Sequence, residues 1–211
     1  MRSVSSLQSC RLDVSRAKSQ LGEFKQWLAD HAEFDEKEAM VELRSRLDLC
    51  LLIQVAVGRG APDRFKFEME IQGAFRADLV VGSATLAHFV MVEFEGGRKN
   101  SLFKRGKTRL PEWGQQIQRA FGQVSDWSWA KNDNQKSDLY RDAFGLTHMS
   151  ETYLVVCGRS MFVDPVSYSR LHWRSTKTMI ASCPIYVWTY DDLCAQAKAT
   201  LDFWLYRQPG V

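Results

Sequence analysis

Several familiar signatures are missing from this chain, and each absence removes a class of function. The five cysteines (Cys10, Cys50, Cys157, Cys183, Cys194) are scattered, with no C-x-x-C pair and no even framework, which suits a reducing compartment better than a secreted disulfide scaffold, and free thiols are expected. The four histidines (His31, His88, His148, His172) show no metal-ligand spacing, which disfavours a zinc centre. No P-loop, GxGxxG or Ser-His-Asp arrangement is present, so nucleotide hydrolysis and serine hydrolase chemistry are disfavoured too. The longest apolar run, Leu49 to Val57, is interrupted by Gln54 and is far short of a membrane span. The opening MRSVSSLQSCRLDV lacks the apolar core of a signal peptide, so a cytoplasmic protein without a membrane partner is expected. An excess of either sign of charge is also lacking. Lys and Arg number 28 against 25 Asp and Glu, so local clusters and not the whole-chain balance must carry any argument for nucleic acid.

What is present is a globular composition, 45% hydrophobic with no low-complexity tract, and 211 residues suffice for one well-buried core. Val14, Ala17, Leu21, Phe24 and Leu28 recur at helical spacing, and Met40, Leu43, Leu47, Cys50 and Leu51 share the face of a second helix. The acidic stretch 32–38 reads as a solvated helix start. After the turn signal Gly58-Arg59-Gly60-Ala61-Pro62, Phe65, Phe67, Met69 and Ile71 alternate with polar residues as one face of a strand. Ala77 to Val81 and Leu86 to Glu95 add two more strands, making an antiparallel meander. Pro111 suits the first position of a helix running to about Asn132, and a polar loop is expected from there to about Ser150. Strands at 152–157 and 185–188, a helix at 165–176 and a final helix through Leu193, Ala197, Leu201 and Trp204 complete the order. Helices, a meander and then β-α-β-α predict an α/β (α+β) fold: a mixed sheet with helices on both sides.

Two acids stand out. Asp78 lies within Ala-Asp-Leu-Val-Val and Glu93 within Phe-Val-Met-Val-Glu-Phe-Glu, so each carboxylate enters apolar surroundings on strands expected to be neighbours. On spacing alone two arrangements satisfy them. A divalent cation, Mg²⁺ or Mn²⁺, relieves both desolvation and mutual repulsion; alternatively Asp78 caps a strand end and Glu93 pairs with an arginine. Gln116, Arg119, Gln123 and Asp126 form a polar helix face opposite the apolar stripe, suited either to orienting water or phosphate or simply to solvation. The stretch 98–109 is the most basic in the chain, with Lys99, Lys104 and Arg105 among its cations, and suits phosphate contact or plain solvation. Arg159, Arg170, Arg174 and Lys177, interleaved with Tyr168, His172 and Trp173, form a second basic group, suited to tracking a nucleic-acid strand or to packing a surface helix.

Five segments in order carry a resemblance: R-A-D-L-V-V-G (76–82), F-V-M-V-E-F-E-G-G (89–97) followed by Leu102-Phe103-Lys104, A-F-G-Q-V-S-D-W (120–127), V-V-C-G-R (155–159) and T-Y-D-D-L (189–193). Together they resemble the PD-(D/E)XK nuclease superfamily and, within it, the Shedu anti-phage nuclease domain. The resemblance implies a restriction-endonuclease-like core over 59–211 with an N-terminal helical segment, 1–58, packed on it as a single domain. It implies metal held by Asp78 and Glu93, with Gln123 matching the family's glutamine and Glu36, Glu38 or Glu70 as an additional acid. DNA is the implied partner, contacted by Lys99, Lys104, Arg105, Arg119 and Arg159, and a homo-oligomer is expected. One position departs from the superfamily: Glu93-Phe94-Glu95 replaces E-x-K, so Glu95 stands where a charge-stabilising lysine is usual; on the same strand face as Glu93, it is expected to complete the catalytic site with Gln123 and suits a second metal. The implied function is a metal-dependent DNA endonuclease of anti-phage defence; the alternative is a non-catalytic nucleic-acid-binding or sensor module on the same scaffold. A third reading is an interaction domain of a larger assembly.

Overall fold

The computed structural model describes residues 6–57, 60–107, 109–134, 137–146 and 148–206. The turn at Gly58-Arg59, the expected segment boundary there, and the Trp204 side chain lie outside the described residues. Seven strands form one mixed sheet in the order β1-β2-β3-β4-β7-β9-β8: β1 (Gln8–Ser9), β2 (Arg64–Ile71), β3 (Phe75–Ser83), β4 (His88–Phe94), β7 (Ser150–Val156), β9 (Cys183–Trp188) and β8 (Met179–Ile180). The pairs β4·β7 and β7·β9 are parallel and the rest antiparallel, as a meander followed by β-α-β units requires. A separate hairpin pairs β5 (Phe103–Lys104) with β6 (Glu112–Trp113).

Helices cover both faces. On one lie α1 (Val14–Asp30), α2 (Glu36–Arg44), α3 (Leu47–Ala56) and α7 (Tyr190–Tyr206), packed on Leu79, Val81, Val90, Val92, Leu154 and Val156. On the other lie α4 (Gln115–Asn134), α5 (Asp138–Phe144) and α6 (Pro165–Lys177), packed on Val80, Phe89, Met91, Tyr153, Val155 and Ile185. Several helices start where side chains satisfy their free N–H groups. Asp13 caps α1, Asp35 and Glu38 form a reciprocal box on α2, Asp164 precedes Pro165 of α6, and Thr189 and Asp192 exchange bonds at the start of α7. α3 is apolar on nearly every side because it is enclosed between the sheet, α1 and α7.

The structure corrects four expectations. The helix read through Met40 and Leu51 is two helices, broken at Ser45–Arg46, where the Arg46 guanidinium bonds back to the Glu42 carbonyl at 2.8 Å. Pro111 does not open α4; the chain first pairs Glu112–Trp113 with Phe103–Lys104, and α4 begins at Gln115. The expected loop before β7 contains α5, capped by Ser137 and ended by Gly145 at φ 71°. The fourth concerns β2. Phe65 and Phe67 pack against the layer of α1, α3 and α7, whereas Met69 and Ile71 join the opposite layer. The strand turns over at Glu68, whose φ is +49°, and the β2·β3 ladder skips the step between Glu68 and Asp78. Alternation breaks opposite it as well, Ala77 and Leu79 falling in different layers.

Just beyond β4, Gly96-Gly97 brings the chain against the loop before α2. The Gly97 N–H donates to the Phe34 carbonyl at 2.9 Å, and a Cβ on Gly97 would lie 2.4 Å from the Phe34 ring. That ring is buried and held between Trp27 and Tyr190, at centroid distances of 4.7 and 4.9 Å, so it has nowhere to retreat. Gly97→Ala is therefore expected to destabilise the protein by roughly 1–3 kcal/mol, read as a lower urea midpoint at unchanged m-value. An unchanged midpoint would show that the Phe34 cage yields.

Candidate active site

The parallel strands β4 and β7 end beside the site at which β3 turns over, and four carboxylates meet there. The β3·β4 register pairs Leu79 with Val92, so one further step sets Asp78 beside Glu93. Asp78 interrupts its own ladder to reach across: its Oδ2 accepts from the Phe94 N–H at 2.8 Å. Glu93 continues the alternation of Phe89 and Met91 towards the α4 side and is 2% exposed, with Oε2 buried and without a partner. Glu95 is fully buried and accepts from Arg119 Nε and Nη2 of α4, both at 3.1 Å. The same Nη2 donates at 2.6 Å to Glu36, in the first turn of α2. Behind the cluster, the Tyr190 hydroxyl donates to the Glu95 carbonyl at 2.6 Å and fixes the chain as it leaves β4.

The electrostatics follow from this crowding. Burial is the largest influence on each acid and pushes all three strand carboxylates above their ordinary range. For Glu93 the nearby charges of Asp78, Glu95 and Glu36 add to it. For Glu95, lifted from 4.5 to about 7, the bonds from Arg119 offset part of the burial. The metal-free arrangement foreseen for the pair is thus half realised: Asp78 does cap a backbone N–H, but the arginine pairs with Glu95 and leaves Glu93 with an orphaned oxygen.

Other expected residues divide. Gln123, one turn after Arg119 on α4, has its Oε1 buried without a partner. Glu36 joins the cluster through Arg119, whereas the Glu38 carboxylate closes the capping box on the Asp35 N–H at 2.7 Å. Glu70 is exposed opposite Arg76, and the charges that act on Asp78 are those of Glu36, Arg76 and Glu68. Lys104 pairs with Glu112 at 3.5 Å; Arg105 is exposed, and Lys99 is exposed with its backbone N–H bonded to Glu33 at 2.9 Å. Arg119 turns inward to carboxylates, with its side chain still 55% exposed. Arg159 is no surface cation: it is 6% exposed, forked onto Asp191, and donates to the Leu28 and His31 carbonyls at 2.8 and 2.9 Å. It ties the end of α1 to α7. Burial of this kind removes it from nucleic-acid contact. The sequence reading missed the Arg119 bridge; the only signal was its place four residues before Gln123 on one polar face.

Among the described residues, no group of three or more Asp, Glu, His or Cys side chains forms a ready cage for a metal. The donor set suits a hard cation of the kind that takes one or two carboxylates and completes its shell with water and phosphate. The orphaned oxygens of Glu93 and Gln123 are the unmet acceptors such an ion or its water would satisfy.

The raised carboxylates fix a direction for stability. Between their ordinary range and the raised one, the folded protein holds protons that the unfolded chain has released, so stability is fully present at low pH and lost as pH rises. In EDTA, Tm is expected to fall from about pH 5 to about pH 8. Glu93→Gln is expected to flatten that slope and raise Tm at the upper end, as scanning calorimetry across the range will read; a slope unaltered by the substitution would refute the assignment.

No curated protein matches the chain. A family model described as Shedu protein SduA, C-terminal, matches residues 33–194, more than half of the sequence and inclusive of every carboxylate in the cluster. By that match, the chain belongs to the Shedu protein SduA C-terminal family.

Proposed function

We propose that this protein is a divalent-metal-dependent DNA endonuclease of anti-phage defence, with a PD-(D/E)XK-type site built on Asp78 and Glu93. The observation that carries the reading is the Glu93 carboxylate, buried beside Asp78 with one oxygen lacking any donor. An unpaired buried carboxylate is costly, and here it persists at the end of two strands beside Arg119, whose side chain is 55% exposed. Membership of the Shedu family supports the defence role. Mg²⁺ or Mn²⁺, when bound, supplies Lewis-acid polarisation of a phosphoryl oxygen and a more acidic water.

The residues of the chain perform the remaining tasks. Asp78 and Glu93 hold the cation. Gln123 orients water through its unpartnered amide oxygen. The positive charge that a lysine would bring from β4 comes instead from α4: Arg119 binds Glu95 and Glu36 through Nε and Nη2, and its Nη1 has no protein acceptor among the described residues. That edge is available to a phosphate oxygen, where a guanidinium stabilises developing negative charge. Exposed Lys99 and Arg105 add sequence-independent attraction to the backbone.

The replacement of lysine by Glu95, already saturated by Arg119, favours one second reading: a module that binds nucleic acid without cutting it. Incubation of the protein with plasmid, linear and single-stranded DNA under Mg²⁺, Mn²⁺ or EDTA separates the two. The nuclease reading expects cleavage that EDTA abolishes and that Asp78→Asn or Glu93→Gln lowers by about 100-fold or more. Cleavage indifferent to both substitutions would sink the site. Binding that falls steeply with salt, without cleavage under any metal, would establish the second reading.

A further inference from the structure

Away from the carboxylates, α6 presents Arg170, Trp173 and Arg174 at helical spacing on one face, against the β5·β6 hairpin. Phe103 and Trp113 of the hairpin stack at 4.6 Å, and the Arg170 guanidinium lies 5.3 and 5.2 Å from their centroids. Arg174 is wedged between rings, 4.5 Å from Trp113 and 3.8 Å from Phe121. Desolvation at this half-buried position lowers its pKa, and among the described residues no carboxylate pairs with it and no protein acceptor takes its N–H groups. Arg159 forks onto Asp191 and Arg119 pairs with Glu95 and Glu36, whereas Arg174 is a partly desolvated cation without an acidic partner among the described residues. Next to it the Trp173 indole is 65% exposed, and a depression of about 600 Å³ lies between Trp113, Arg170, Trp173, Arg174 and Thr178.

An unpaired guanidinium asks for an anion, and an exposed indole beside it asks for a flat apolar face. A nucleotide offers both in one unit, phosphate and base. A duplex offers only the phosphate, because its base faces are stacked inside the helix; an unpaired segment offers the base as well. The exposed cations Arg105, Lys107 and Arg109 of the hairpin loop extend the same positive surface. We propose that the α6 face bearing Arg170, Trp173 and Arg174 binds an unpaired segment of nucleic acid, one base stacking on Trp173 and an adjacent phosphate meeting Arg174. This deepens the nuclease reading and rests on it for the class of substrate, adding strandedness and a second point of hold.

Fluorescence anisotropy with labelled oligothymidine and with a matching oligo-dA·oligo-dT duplex, on the full chain in EDTA, tests the proposal without involving cleavage. Oligothymidine is expected to bind more tightly than the duplex. Trp173→Ala is expected to weaken the single strand by about 5- to 100-fold and leave duplex affinity unchanged. Arg174→Gln is expected to weaken it and reduce the salt slope by about one. Trp129→Ala, which removes an equally exposed indole from α4, is expected to change nothing. Equal affinity of Trp173→Ala and the parent for oligothymidine would overturn the proposal, as would equal losses on both DNAs. Effective competition by polyglutamate would also overturn it, marking a general anion surface. Absence of metal-dependent cleavage together with Trp173-dependent binding would count against the carboxylate reading alone, so the two failures are distinguishable.

Discussion

Taking the Glu93 carboxylate out of water is the cost around which the end of the sheet is arranged. Its neighbours in the strands are Val92 and Phe94, both fully buried, and its companions in space are other acids. Such a group persists only where the surrounding structure over-determines it. The over-determination is visible in the partners of the other three acids. The Phe94 N–H satisfies Asp78, the guanidinium of α4 satisfies Glu95 and Glu36, and the Tyr190 hydroxyl holds the backbone between them. Each comes from a different element, so the fold and the cluster specify one another.

That dependence explains which parts were legible in the sequence. Local signals worked well: the acidic stretch 32–38 announced a helix start, and the apolar runs around Asp78 and Glu93 announced buried strands, which adjacency in the meander then brought together. The resemblance carried by the ordered motifs led to the family that the match over 33–194 establishes. What escaped depended on partners far along the chain. Arg119 and Glu36 are 83 residues apart, and Arg159 reaches back more than 120 residues to the end of α1. Composition alone gave both arginines to a surface. Tertiary hydrogen bonding turned them inward.

Smaller misses have local causes. α5 is only seven residues long, too short for a periodic stripe, although Ser137 and Gly145 mark its two ends. The break between α2 and α3 leaves the apolar spacing almost in phase, so a continuous helix and a broken one read alike until the Arg46 side chain is seen folding back on Glu42. Glu68 left no trace at all, because a left-handed backbone is uncommon for a residue with a side chain and no glycine flags it.

Yet the reversal at Glu68 and Asp78 reaches furthest. Because β2 and β3 each change faces halfway, the same short ribbon contributes Phe67 and Leu79 to one hydrophobic layer and Met69 and Ala77 to the other. The ribbon thus belongs to both cores, and the step at which it changes layers falls at Asp78, one of the carboxylates of the site.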